Sequence, residues 1–240
     1  MYCLRFRVYG LGFRGSGLGF KVLGVDQHCL DGLYVRTRLT YPLYQVLTIW
    51  MTANDVCGSC DGPKDLTQWT DAYDQMLTNV TSNYRNIYIN LMSTLDLSDV
   101  ARLQRSVRFC NLEHRLLLKE CGCIDRGNSS QLKTLDENVH AMNAQLSSIA
   151  SKWMDKLGTA KRDDVAVVYQ PYLEGIGPNL DISFLNRLDC FHPAAKAHEQ
   201  LAMGLWASML CKDRATACGR KFPETSPYCA TRNATFYVPP

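Results

Sequence analysis

Three polar side chains, Asn54, Asp189 and His192, are of the types that general acid–base chemistry on an ester requires. His192 lies three residues after Asp189 and directly before Pro193. A histidine so placed can act as a general base while the acid fixes its tautomer and orientation. Asn54 can direct its amide at a developing negative charge, as an oxyanion donor does. From spacing alone, a capping or surface pair is the simpler interpretation of Asp189 and His192, so the surrounding elements must decide.

The elements around these residues form a regular α/β alternation. Apolar runs predict three strands, at 45–51, 86–92 and 165–170. Apolar periodicity predicts helices at 66–80, 98–120, 131–157 and after Pro193. Such an alternation is typical of a parallel sheet covered on both faces, whose functional groups gather at the carboxyl ends of the strands. We therefore expect Asn54 and His192 in one crevice at that edge.

The composition limits the class of protein. The 240 residues include 26 basic and 23 acidic ones, a net charge of +3, so nothing favours a nucleic-acid partner. Eleven cysteines favour an oxidising compartment, and hence a secreted or extracytoplasmic protein. Residues 1–25 do not form a signal peptide, because charged residues interrupt any apolar stretch. N-glycosylation triplets, which agree with export, occur at Asn79, Asn128 and Asn233.

The cysteines allow three interpretations. Cys57 and Cys60 form a Cys-x-x-Cys pair, as in a thiol–disulfide oxidoreductase, but the Asp-Gly-Pro that follows prevents a helix from starting there. A zinc site completed by Cys121 and Cys123 is conceivable, although Cys-x-Cys is a poor half-site. Structural disulfides are favoured, and no metal or other cofactor is expected. The cysteines expected to be bridged are Cys57, Cys60, Cys110, Cys121, Cys123, Cys190, Cys218 and Cys229; Cys3 and Cys29 should have no native partner, and Cys211 is expected as the free thiol.

Residues 1–41 differ in kind from the rest of the chain. They are basic and Gly-rich, with GLGF at 10–13 and again at 17–20, and they show neither helical nor clean strand periodicity. Gly10, Gly12 and Gly15 match a dinucleotide-binding pattern, but that pattern needs a helix and a later strand-borne acid that this segment lacks. We expect residues 1–40 to pack poorly or to be unordered.

Four stretches in the rest of the chain resemble the GDSL or SGNH hydrolases, and most of all their phospholipase B-like branch. They are LTIWMTANDVCGSC (47–60), RFCNLEHRLLLKECGC (108–123), VAVVYQPYLEG (165–175) and LDCFHPAAKAHEQLAMGLWASML (188–210). The resemblance covers residues 42–230 and leaves 231–240 as a tail. It implies a three-layer α/β/α sandwich and serine-dependent hydrolysis of carboxylic esters. By the same resemblance Asn54 is the oxyanion asparagine, Asp189 the triad acid and His192 the base; the implied partner is a phospholipid or other acyl ester, and a membrane surface is left open.

The chain departs from that family in its first block. The family's nucleophilic serine lies in a Gly-Asp-Ser segment well before the asparagine, and its second oxyanion donor is a glycine in the next block. Neither is found, so no nucleophile is identified and the N-terminal part of the fold is expected to be missing. Ser16 lacks the preceding aspartate and lies too near Asn54. Thr52 replaces the family's glycine and is expected to crowd the oxyanion site.

Two other functions remain open. A catalytically dead family member would bind a lipid or a partner protein without hydrolysing an ester. A thiol–disulfide oxidoreductase built on Cys57 and Cys60 is the more distant alternative.

Overall fold

A computed structural model describes residues 6–10, 21–25, 45–117, 120–212, 222 and 235–238. The strands are β1 (Phe6–Gly10), β2 (Lys21–Val25), β3 (Gln45–Ile49), β4 (Ile87–Met92) and β5 (Val165–Gln170). The helices are α1 (Thr52–Val56), α2 (Thr67–Asn83), α3 (Leu97–Ser106), α4 (Arg108–Leu116), α5 (Gly122–Arg126), α6 (Ser129–Thr159) and α7 (Ala195–Leu210). Three 3₁₀ turns follow β5, at Pro171–Leu173, Gly177–Asn179 and Ile182–Phe184.

The three predicted strands form a parallel sheet. β4 lies between β3 and β5, and Ile89 pairs with Leu47 on one side and Val167 on the other. Every residue of β4 is buried, which is why its sequence is a continuous apolar run with a single asparagine, Asn90. The amide of Asn90 is satisfied within the core by Thr48 on β3 and Gln170 on β5.

Helices cover both faces of this sheet. On one face α2 and α6 pack against the strands, with Leu77, Leu146 and Trp153 in the shared core. On the other face α7 and the turns after β5 pack on Tyr88 and Val168. The arrangement is a three-layer α/β/α sandwich, so the predicted fold class is confirmed.

A third core lies beyond the carboxyl edge of the sheet. It joins α1, α3, α5 and the first half of α6, with Val56, Ala101, Ile124 and Leu135 completely buried. The N-terminus of α6 is fixed by Asn128, whose side chain accepts from the amide of Gln131 while the Gln131 side chain accepts in return. This core is the base on which the loops at the carboxyl edge rest.

One helix prediction and one strand prediction need correction. The stretch 98–120 is not one helix, because Val107 is extended (φ −113°, ψ 119°) and separates α3 from α4. The strand predicted to end at residue 51 ends at Ile49, and Thr52 to Val56 forms the short helix α1. Asn54 is therefore carried by a helical turn rather than by a strand end.

The N-terminal segment also contains structure that its sequence did not predict. β1 pairs with β2 antiparallel, and Lys21 of β2 pairs with Thr48 of β3. An antiparallel pair joined by ten residues is not the strand–helix–strand unit of a dinucleotide site, so that pattern is not borne out. The rest of 1–40 lies outside the described residues. No helix within the described ranges has both the length and the apolar character of a membrane span.

Candidate active site

Asp189 and His192 form a hydrogen-bonded pair. His192 Nδ1 lies 2.9 Å from Asp189 Oδ2 and donates to it. The other carboxylate oxygen, Oδ1, accepts from the backbone amides of Phe191 and His192, both at 3.0 Å. Because Nδ1 is engaged, Nε2 is the ring nitrogen left to exchange a proton, and the His192 side chain is 58% exposed. The pair has the arrangement of an oriented general base.

A tight turn produces this geometry from residues three apart. Cys190 has φ +49°, in the left-handed region, and its amide donates to the carbonyl of Asn186 at 2.7 Å. The amide of Asn186 donates in turn to the carbonyl of His192 at 2.8 Å, which closes the loop. The predicted reversal through Cys190 and Phe191 is therefore present. Phe191 is half-buried rather than buried, with its ring edge-on to His192 at 5.1 Å between centroids.

The charges around the pair favour an ionised Asp189. Burial alone raises the pKa of the Asp189 carboxyl, but the hydrogen bonds from the two amides and the His192 ring outweigh it and place that pKa below its ordinary value. Glu120 is a second carboxylate, with Oε2 4.0 Å from His192 Nδ1. Burial raises the pKa of Glu120, and the Asp189 charge raises it further against the opposing effect of His192. Sequence reasoning missed Glu120, since no spacing relates it to His192.

A buried histidine beneath the loop was also missed. His114 Nδ1 lies 2.8 Å from Asp125 Oδ1, and His114 Nε2 lies 2.5 Å from the backbone carbonyl oxygen of Asp189. A carbonyl can only accept, so Nε2 carries a proton and donates it. The His114 and Asp125 side chains are 2% and 1% exposed. His114 therefore holds the backbone of Asp189 from its buried side, and its only signal in the sequence was its place within the family-like stretch 108–123.

Disulfides fix the same region. Cys110 of α4 is bonded to Cys190 in the turn, and Cys57 and Cys60 are bonded to Cys121 and Cys123. Cys57 follows the end of α1 and is not paired with Cys60, so neither a redox Cys-x-x-Cys site nor a four-thiolate zinc site forms. The predicted structural role of these six cysteines is confirmed. The prediction of a free Cys211 is wrong, because Cys211 is disulfide-bonded as well; Cys3, Cys29, Cys218 and Cys229 lie outside the described residues.

Asn54 and His192 line one cavity at the carboxyl edge of the sheet. The cavity has a volume of about 390 Å³, and the rest of its lining is mainly apolar. Its walls include Trp50, Leu97, Ile176, Phe184, Phe191 and Leu201. Thr52 is completely buried and does not line the cavity, so the crowding expected from it is not seen. An apolar cavity with a few convergent polar groups at one side suits a ligand with an apolar chain and a polar reacting group.

The nucleophile is the part of the site that these residues do not supply. Within the described ranges, Asp189 is the only side chain that hydrogen-bonds to His192, and no serine hydroxyl contacts Nε2. Ser16 lies outside the described residues. The catalytic roles of Asn54, Asp189 and His192 thus stay predictions that the geometry permits.

Comparison with known proteins agrees with this fold. The family model of the GDSL-like lipases and acylhydrolases matches residues 36–205. The rat (Rattus norvegicus) protein named "Phospholipase B1, membrane-associated" is 26% identical over 176 residues, which are 70% of this chain and 12% of the rat protein. Its mouse (Mus musculus) and human (Homo sapiens) counterparts are 24% and 23% identical over 175 residues, again 70% of this chain but 11% and 12% of theirs.

The chain thus spans about an eighth of the length of these curated relatives. No solved structure matches the chain. The family match extends over more than two thirds of the 240 residues and includes Asn54, Asp189 and His192. The chain belongs to the GDSL-like lipase/acylhydrolase family.

Proposed function

We propose that this chain carries the acid–base half of a lipid ester hydrolase, with phospholipids as the substrate class. The observation that carries the proposal is that the Asp189–His192 pair and Asn54 meet on one apolar cavity. The cavity has room for an acyl chain beside the reacting ester, and the named relatives are phospholipases B. Family membership supports acyl-ester hydrolysis in general, and the phospholipid class is the finer step proposed.

Each of the three residues has one role in the proposed reaction. His192 Nε2 takes the proton of a serine hydroxyl as its oxygen attacks the ester carbonyl, and later gives that proton to the leaving alcohol. Asp189 holds Nδ1–H and stabilises the imidazolium that forms between these two steps. Asn54 donates its side-chain amide to the oxyanion of the tetrahedral intermediate. Water that gives its proton to the same Nε2 then attacks the acyl-serine, which releases the carboxylic acid and restores the serine hydroxyl. The reaction therefore needs a serine delivered to Nε2.

The test is to supply that serine and measure hydrolysis. We expect residues 1–240 alone to hydrolyse a short-chain ester and a phospholipid negligibly. A chain whose residues 1–41 are replaced by the family's Gly-Asp-Ser block should hydrolyse both, and His192→Ala should abolish that activity.

The matched control is His140→Ala, which removes another exposed histidine bonded to an aspartate, His140 Nε2 to Asp96 Oδ1 at 2.7 Å. Activity should survive this change. A folded Gly-Asp-Ser chain without turnover, or activity insensitive to His192→Ala, would refute the proposed mechanism.

A catalytically dead, lipid-binding protein is the second candidate. It is favoured by the lack of a hydroxyl at His192 Nε2 within the described ranges, together with the apolar cavity. This candidate predicts that the Gly-Asp-Ser chain still fails to hydrolyse an ester. A fluorescent fatty acid should nevertheless bind in the cavity, and Leu201→Trp, which fills the cavity, should abolish that binding.

A further inference from the structure

Helix α4 presents its apolar side outward. Phe109, Leu112 and Leu116 are 60%, 56% and 66% exposed. Their spacing of three and four residues places them on one face of the helix. The buried positions, Cys110 and His114, lie on the opposite face and are polar or disulfide-bonded. An ordinary surface helix has the reverse pattern, with its apolar face toward the core.

The exposed apolar side chains are concentrated at this place. Seven large hydrophobic side chains are exposed among the residues that the structure describes. Five of them belong to α4, to the residue after it and to the turn of residues 186–192, here called the catalytic turn, which marks a patch rather than scattered single residues. We call this set the α4 patch: Phe109, Leu112, Leu116, Leu117 and Leu188.

The α4 patch adjoins the candidate active site along the chain. Leu188, 80% exposed, directly precedes Asp189, and the Cys110–Cys190 disulfide joins its loop to α4. At the other end, Leu117 is three residues before Glu120, whose carboxylate lies 4.0 Å from His192. A surface that covers Leu188 therefore lies near Asp189 and the exposed side chain of His192.

Among the residues that the structure describes, two cations without an acidic partner lie beside the patch in the sequence. Arg108 precedes Phe109 and Arg187 precedes Leu188, and both are exposed. Neither has a carboxylate partner within the described ranges. The acids nearest in sequence are Glu113, half-buried, Glu120, exposed, and Asp189, half-buried and hydrogen-bonded to His192. Apolar side chains with cations at their margin complement a layer of acyl chains beneath phosphate groups.

We infer that the α4 patch docks the protein on the surface of a phospholipid aggregate, with the catalytic turn facing the lipid. The choice of lipid rests on the proposed function, since a protein or a second copy on the patch would cover the catalytic turn that a lipid substrate must reach. Its three α4 side chains share one exposed helix face, which can press into a deformable lipid surface without a matching groove. Binding should depend on both the apolar side chains and the adjacent arginines.

Vesicle binding tests the inference without requiring turnover. Chain 1–240 should cosediment with vesicles of phosphatidylcholine mixed with phosphatidylglycerol. The variant Phe109→Ser/Leu112→Ser/Leu116→Ser should bind at least about tenfold more weakly, because it loses three apolar side chains. Arg108→Ser/Arg187→Ser should bind more weakly only when phosphatidylglycerol is present. The control is Tyr84→Ser, which removes another exposed large side chain, 49% exposed, at the amino edge of the sheet, and it should bind normally.

Several outcomes would overturn the inference. Wild-type protein that ignores the vesicles, or a triple variant that binds as wild type does, would each refute it. A wild-type dimer that the triple variant converts to a monomer would assign the patch to a second copy. Circular dichroism of each variant checks folding, and Leu188→Ser alone provides a second, milder probe of the same surface.

A water-soluble short-chain ester separates this inference from the proposed function. In the Gly-Asp-Ser chain, the triple variant should keep its rate on that ester and lose rate on vesicles. Vesicle binding without any hydrolysis would leave the patch standing while the proposed function fails. Hydrolysis of the soluble ester without vesicle binding would support ester hydrolysis and refute the docking role of the patch.

Discussion

Asp189 uses its two carboxylate oxygens for different tasks. Oδ2 accepts from the His192 ring, and Oδ1 accepts from the two amides that close the turn. The carboxylate thus fixes both the loop and the base. Its lowered pKa means that these bonds favour the ionised form in the folded protein.

This gives Asp189 a predictable pH dependence. A lowered folded pKa contributes stability that is present above the unfolded pKa and is lost as the pH falls through the folded value. Wild type should therefore exceed Asp189→Asn in free energy of unfolding by about 1–3 kcal/mol at neutral pH. The gap should close below about pH 4. Urea unfolding across that range measures it, and a gap that stays constant on acidification would contradict the explanation.

His114 and Asp125 are predicted to act as a buried pair. Removing His114 alone leaves the Asp125 carboxylate buried without its partner, so His114→Leu should cost about 3–5 kcal/mol of unfolding free energy. His114→Leu/Asp125→Leu should cost less than the sum of the two single changes, because no unpaired charge remains. Urea unfolding of all four proteins measures the coupling. Additive losses would show that the two side chains do not act together.

The sequence predicts the contacts of the site between residues close in the chain, but not the contacts between residues far apart in it. Asp189 and His192 are three residues apart, so a turn alone can join them. His114 reaches the Asp189 carbonyl across 75 residues, and Glu120 reaches His192 across a comparable separation. These two contacts depend on the Cys110–Cys190 bridge and on the third core, and neither feature produces a periodic pattern in the sequence.

Among the elements, the three parallel strands could be predicted from the sequence, because burial on both faces of the sheet leaves an uninterrupted apolar run. The break between α3 and α4 could not be predicted from the sequence. Leu103, Cys110 and His114 are all buried, and their intervals of seven and four residues fit one uninterrupted helix. Likewise, the glycine-rich pattern of 1–25 did not indicate the β1–β2 pair, because the alternation of Leu4, Phe6 and Val8 with Arg5 and Arg7 is too short to stand out among the glycines.

The disulfides around the site should differ in what they contribute to stability. Cys110–Cys190 spans 80 residues, and Cys110→Ala/Cys190→Ala should cost about 4 kcal/mol. Cys57→Ala/Cys121→Ala should cost clearly less, because Cys60–Cys123 still closes nearly the same loop. Thermal unfolding under non-reducing conditions compares the two variants. Equal losses would mean that the bridges act through packing rather than through loop closure.

For the molecule as a whole, the sandwich and the third core form a rigid support for a site at the carboxyl edge of the sheet. The acid, the base and the asparagine come from the last third and the first quarter of the chain, and they meet because β3 and β5 flank β4. The cavity between them is apolar, and the α4 patch extends apolar surface from the catalytic turn. The fold therefore places an apolar cavity next to the hydrogen-bonded Asp189–His192 pair, as the proposed hydrolysis of a lipid ester requires.

Covalent labelling with a fluorophosphonate tests directly whether His192 serves as the base for a serine. The probe reacts with a serine that a neighbouring base activates, and mass spectrometry identifies the labelled residue. We predict no label on chain 1–240, and a label on the introduced serine of the Gly-Asp-Ser chain that disappears with His192→Ala and survives His140→Ala. A label on chain 1–240 at Ser16 or at another serine would contradict this assignment, as would a folded Gly-Asp-Ser chain that stays unlabelled.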